Sequence, residues 1–254
     1  MIFSQQNLLV IFLISLVVVL GAGEIGRSLG TRQKRGYSVA TLEAAILGLL
    51  ALMISFTFAM ALSRYEARRE AVLNEANAIG TTALRARLLP APYNSDVLKL
   101  LKQYVQLRLD VTDDPSQEKL NRAIAQSNVI HEALWQQVKL LTAKDNAMVP
   151  TGVFVQSLNE MIDNQGKRLS AAFNQIPNMV LLALYGIAAV ASGFSGYASG
   201  LETKRTRLPV LIVGTLICVV ILLIQDIDRP FSGFIKVSQQ PMVDAAVSLS
   251  SYSD

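Results

Sequence analysis

Ala44-Ala45-Ile46-Leu47-Gly48-Leu49-Leu50-Ala51-Leu52-Met53-Ile54-Ser55-Phe56-Thr57-Phe58-Ala59-Met60-Ala61-Leu62-Ser63 is an uncharged apolar run. It passes directly into Arg64-Tyr65-Glu66-Ala67-Arg68-Arg69 and then Asn74-Glu75-Ala76-Asn77-Ala78-Ile79. Neither proline nor a turn cluster interrupts the passage before Pro90. The pattern predicts one long helix, apolar in its first half and amphipathic in its second. At about 1.5 Å per residue, some 45 residues extend well beyond a hydrocarbon core of about 30 Å. Such a helix joins a membrane path to a helical body in water, which suits a conduit or a sensor better than a soluble enzyme.

Working outward, the chain is 52% hydrophobic and 17% charged, below the roughly 25% charge of soluble domains. Met1–Gly23, Ala44–Ser63, Leu169–Leu201 and Leu208–Gln225 lack Asp, Glu, Lys and Arg. Each is long enough to span lipid as a helix. Pro177 is expected to open the third span and Pro209 the fourth, where a missing N–H costs nothing. The first segment has no Lys or Arg in Met1–Asn7 and an apolar core longer than a secretion signal needs, so it reads as a retained helix. The expected class is an all-α membrane protein with four transmembrane helices and a helical-bundle insert between the second and third. Its expected divisions are 1–63 (spans one and two), 64–175 (extramembrane bundle), 176–226 (spans three and four) and 227–254 (C-terminal tail).

Within the insert, Asn94 or Ser95 opens a run carrying Val97, Leu98, Leu100, Leu101, Tyr104, Val105 and Leu107. Asp113-Asp114-Pro115-Ser116 reads as a turn and helix start. Leu120, Ile124, Ser127, His131, Leu134, Val138 and Leu141 then alternate at spacings of four and three, a seam for helix packing. Met148-Val149-Pro150 breaks the chain, and Thr151 is expected to cap a helix with the stripe Phe154, Leu158, Met161 or Ile162, Gln165, Leu169 and Phe173. The short turns carry Arg27, Arg32, Lys34 and Arg35, and Lys204, Arg205 and Arg207. Arg64, Arg68, Arg69, Lys167, Arg168 and Arg229 flank the spans on the opposite side, so charge counting leaves the orientation open.

Candidate chemistry is sparse. Cys218 stands alone, which excludes an intrachain disulfide and a cysteine metal cluster. The net charge of +4 is scattered rather than gathered in a stripe, which argues against a nucleic-acid partner. The one histidine, His131, falls on the seam and reads as a packed residue. No HExxH, GxSxG or P-loop string occurs, and no catalytic residue, metal or cofactor is expected. Gly21-Ala22-Gly23-Glu24-Ile25-Gly26 matches GxGxxG but follows a membrane-length run, so it reads as the loose end of span one. Glu24 and Glu43 read as boundary residues, with an ion-attracting ring as the functional alternative. Ala188, Ser192, Gly196 and Gly200 share a face and permit close helix approach. Gly48, Leu52, Phe56 and Met60 share another, which lines a dry constriction if identical chains surround an axis. From periodicity alone a lipid-facing or interhelical stripe is the favoured reading, since the companion stripe Ile54, Phe58 and Leu62 is equally apolar.

The run Phe56, Ser63-Arg64-Tyr65-Glu66-Ala67-Arg68-Arg69 and Val72-Leu73-Asn74-Glu75-Ala76-Asn77 resembles the bestrophin channels, as does Asp228-Arg229-Pro230-Phe231-Ser232-Gly233 after the last span. The four-span layout agrees with them. Over nearly its full length the chain is similar to a bacterial bestrophin-like membrane protein family. The resemblance implies a pentameric channel for inorganic ions, a small anion being the expected one, embedded in the lipid bilayer of the cell inner membrane as a multi-pass protein with a cytosolic insert. Span two would line the neck with Gly48, Leu52, Phe56 and Met60. Ser63, Arg64, Glu66, Arg68, Asn74, Asn77, Asp228, Pro230, Phe231 and Gly233 carry the family pattern. This chain has one aromatic fewer in the Arg64–Arg69 run. It also reads Phe234-Ile235-Lys236-Val237-Ser238 where calcium-activated members are acidic, so calcium gating there is not expected. The alternative is a non-conducting sensor or scaffold whose bundle binds a ligand or partner. A secondary transporter is disfavoured, because the four spans hold no embedded charged pair.

Overall fold

The computed structural model describes residues 7–33, 39–113, 117–144, 148–202 and 207–252. Lys34, Arg35, Asp114, Pro115, Ser116, Lys204 and Arg205 fall outside them. Eight α-helices occur among the described residues: α1 (Leu8–Arg32), α2 (Ala40–Ala86), α3 (Tyr93–Asp113), α4 (Gln117–Lys144), α5 (Val153–Phe173), α6 (Asn178–Leu201), α7 (Leu208–Asp228) and α8 (Gln240–Ser250). No strand occurs among these residues. The long helix expected from the opening stretch is α2, 47 residues without interruption. Four helical segments, including α1, α2 and α7, are long and apolar enough to cross a membrane. Pro177 caps α6 and Pro209 lies in the first turn of α7, as expected.

The chain divides into two compact units. One comprises Met1–Tyr65, Gln175–Arg229 and Gly233–Ile235, the other Glu66–Asn174, Pro230–Ser232 and Lys236–Asp254. In the first unit α1 packs closely on α6 and also contacts α7. Glycine makes the close approach possible. A methyl group on Gly26 would collide with the backbone of Gly193, and one on Gly196 with the backbone of Gly23. A methyl group on Gly30 would likewise collide with the Tyr197 carbonyl, and one on Gly200 with the Arg27 carbonyl. The GxGxxG string is therefore no loose end. It lies inside α1, which continues to Arg32, and Gly23 and Gly26 press on the face of α6 that holds Ser192, Gly196 and Gly200. Helices in lipid have no hydrophobic drive to associate, so dispersion contacts between close backbones take its place.

The second unit has an apolar core of Ile79, Leu101, Tyr104, Leu134, Leu141, Phe154, Leu158 and Met161, each fully buried. Burying each of the larger aliphatic side chains contributes about 1.5–3 kcal/mol. The α4 seam is as expected: six of its seven members are buried and Ile124 is half-buried. The α5 stripe departs at its end, where Ala172 is buried and Phe173 exposed. Thr151 does not cap α5. It is buried within a short π-type turn, Met148–Gly152, where Val149 is extended ahead of Pro150, the conformation that a following proline enforces. The segment after α7 contains a further helix, α8, whose Met242, Ala245 and Leu249 join this core.

Gly196→Ala is expected to destabilise the protein by about 1–3 kcal/mol through forced separation of α1 and α6. Gly21→Ala, with no atom within 4 Å of its new methyl, is expected to be neutral or stabilising by up to about 1 kcal/mol. Unfolding in detergent measures both, and equal effects would remove the close-approach account.

Candidate functional site

The faces of α2 differ sharply. Leu50, Thr57 and Ala61 are buried, and Ile54 and Phe58 pack against the first unit's core. Leu52 and Phe56 lie on the outer side, 53% and 62% exposed, together with Gly48 and Met60. The companion stripe is thereby split: Ile54 and Phe58 belong to the protomer's own packing, while Leu62 is exposed. Ser63, Glu66, Asn74 and Asn77 are also exposed. Arg64 is half-buried, with Nη1 3.5 Å from the Met60 carbonyl. Arg68 is buried. The predicted residues on α2 thus form one outer set, from which the two guanidiniums turn away.

The residues after α7 do structural work. Asp226 accepts hydrogen bonds from the backbone N–H groups of Phe234 (2.8 Å) and Ile235 (2.9 Å). Gly233 makes this return possible: its φ is +116°, and a Cβ there would strike the Asp226 carboxylate. Asp228 is buried and accepts from the Ile176 N–H at 2.9 Å. Phe231 packs against Val111, Leu120 and Ala123, and Pro230 is half-buried. Glu24 stands 3.7 Å from Arg27 and 3.8 Å from Arg207. Among the described residues no cluster of three or more His, Cys, Asp or Glu is placed to hold a metal ion.

Sequence reasoning missed the second unit's principal polar feature. Glu75 is fully buried. Its Oε1 accepts from the Tyr104 hydroxyl at 2.6 Å and lies 3.1 Å from Arg108 Nε. Its Oε2 accepts from Arg168 Nη1 at 2.6 Å. Arg168 Nη2 then donates to Gln239 Oε1 at 2.9 Å. One carboxylate therefore ties α2, α3 and α5 to the start of α8. The signal was present in the sequence: Glu75 falls one turn from Val72 and Ile79, on the apolar side, where an acidic residue requires partners. Burial and the Glu75 charge push the Tyr104 phenol well above its usual range, so it remains a donor.

His131 of α4 packs on Tyr104, with ring centroids 5.2 Å apart. Burial pushes its imidazole below the usual histidine range; Glu75 opposes that shift and Arg108 reinforces it. The folded protein thus prefers neutral histidine more strongly than the unfolded chain does. The resulting stability is present above the ordinary value of about 6.5 and is lost as pH falls from there through the depressed folded value. His131→Phe, which keeps the ring contact, is expected to lose less melting temperature between pH 7.5 and 5.5 than the wild type. Parallel losses would sink this assignment.

The bestrophin-like domain family matches residues 10–242. A crystal structure of a bacterial bestrophin homologue from Klebsiella pneumoniae has the same fold, with a TM-score of 0.70 over 98% of this chain and 100% of that one at 14% identity. A tryptophan-to-alanine variant of that homologue gives a TM-score of 0.70 over 96% of each chain at 15% identity. No curated protein matches significantly in sequence. With the match covering most of its length, and with four membrane-length apolar helical segments, the chain belongs to the bestrophin-like family.

Proposed function

We propose that the protein is an ion channel of the cell inner membrane, assembled as a homo-oligomer, in family terms a pentamer, around the outer face of α2. In this reading Leu52 and Phe56 form a dry constriction, Gly48 and Met60 flank it, and the helical insert extends the path into water. The observation that carries the reading is the exposure of Phe56 and Leu52 on a helix whose opposite side, with Leu50, Ile54, Thr57, Phe58 and Ala61, is packed. An apolar ring gates by dewetting. A non-conducting scaffold would turn the same stripe to lipid.

The charge along the same helical phase refines the proposal. Gly48, Leu52 and Phe56 recur eighteen positions later as Glu66, Glu70 and Asn74, a shift of about five turns. The phase that supplies the constriction therefore turns carboxylate-bearing beyond Ser63, while Arg64 and Arg68 leave it. Rings of Glu concentrate cations, so we propose a preference for small cations in place of the small anion expected from the resemblance.

In liposomes, Phe56→Ala is expected to raise ion flux at least severalfold over wild type. Equal flux from wild type, variant and empty vesicles would remove the channel reading, and a monomer or dimer in detergent would favour the scaffold. Under a KCl gradient the reversal potential is expected to lie on the potassium side and to move toward zero in Glu66→Gln/Glu70→Gln. A chloride-side potential unaffected by that pair would restore the anion.

A further inference from the structure

A cavity of about 130 Å³ opens in the second unit. On the basis of about 10–15 Å³ per water measured in this way, it has room for a small organic molecule. Its cationic wall is Arg68, Arg168 and Lys236, beside the Gln239 amide; Val72 and Phe231 line its apolar side. Among the described lining residues none is acidic. Behind the wall, Glu75 is shared by Arg168 and Arg108, so one carboxylate serves two guanidiniums. Arg168 is nearly buried, with 12% of its side chain exposed, and Arg68 is 4% exposed. The guanidinium face toward the cavity meets only a neutral acceptor, Gln239 Oε1 at 2.9 Å. A charged oxygen there makes a hydrogen bond roughly twice as strong as a neutral one.

We propose that this cavity binds a small oxyanion with an apolar body, its phosphate or carboxylate group seated between Arg168 and Lys236 and its apolar part against Val72 and Phe231. Gln239 is also the residue from which α8 starts, its carbonyl accepting from Met242 and Val243, so an occupant that displaces its side chain acts on the C-terminal helix. The same chemistry is offered by a soluble organic phosphate or by an anionic lipid headgroup.

The full-length protein in detergent is titrated with phenyl phosphate and with inorganic phosphate at constant ionic strength, using melting followed by Trp135 fluorescence and calorimetry. A second arm compares melting in phosphatidylglycerol and phosphatidylcholine nanodiscs. Phenyl phosphate is expected to raise the melting temperature and to bind more tightly than inorganic phosphate. Lys236→Gln, at an exposed position, should weaken binding about tenfold, as expected for loss of one charged contact. Gln239→Glu supplies a tethered carboxylate to Arg168 and should abolish the response. Stabilisation by phosphatidylglycerol that removes the phenyl phosphate response identifies the headgroup as occupant; an unchanged response identifies the soluble source. The proposal is overturned if neither phenyl phosphate nor phosphatidylglycerol stabilises the wild type, or if Lys236→Gln responds with undiminished affinity.

Discussion

Removing a carboxylate from water costs several kcal/mol, and the loss is recovered only where its lone pairs meet well-placed donors. Glu75 meets that condition with hydrogen bonds from Tyr104 and Arg168 and with the Arg108 charge 3.1 Å away. The consequence is positional. Each donor comes from a particular turn of its helix, and a shift of α3 or α5 by one turn, about 5.4 Å, would leave a buried charge unmatched. Leu101, Leu158 and Met161 supply more apolar burial than this cluster does, but apolar side chains tolerate sliding far better than a bidentate charge does. The network therefore sets the register in which the apolar core packs. It also fixes where Arg168 stands, and so the cationic wall of the cavity beside it.

In the first unit the corresponding constraint is steric. Gly23, Gly26 and Gly30 meet Ser192, Gly193, Gly196 and Gly200 with almost no room for a side chain, which leaves α1 and α6 one way to nest. The carboxylate–backbone contacts of Asp226 and Asp228 then hold the turn after α7 and the start of α6. None of these contacts involves the outer face of α2, so substitutions at Leu52 and Phe56 test function without touching what holds the unit together.

Much of this was legible in the chain. The continuity of α2, the start of α6 at Pro177 and the α4 seam follow from periodicity and proline chemistry, which are local. What was not legible depended on partners distant in sequence. The glycines of Gly21–Gly26 looked like a helix end because a glycine's purpose inside a helix is visible only once the backbone opposite it is known. Thr151 met the local rule for a cap, but Pro150 holds Val149 extended and the turn that follows takes Thr151 inside. Phe173 continued a stripe by spacing, yet α5 buries Ala172 at that turn. Gln239 gave no sign, because its role depends on Arg168, seventy-one positions away.

Periodicity left the two apolar stripes of α2 equivalent, and packing separates them. Ile54 and Phe58 are claimed by the protomer, while Leu52 and Phe56 face outward. An outward apolar stripe satisfies lipid as readily as a symmetry axis, so exposure alone does not choose. Gly48 is exposed on the same face, with no atom within 4 Å of where a side chain would begin. A glycine in an exposed helix interior costs about 1 kcal/mol relative to alanine in water. In the proposed channel the missing side chain of Gly48 would leave the path wide beside the apolar ring. The switch of the same phase to Glu66 and Glu70 points the same way, since one line of residues then runs from a dry segment to a charged one without changing face.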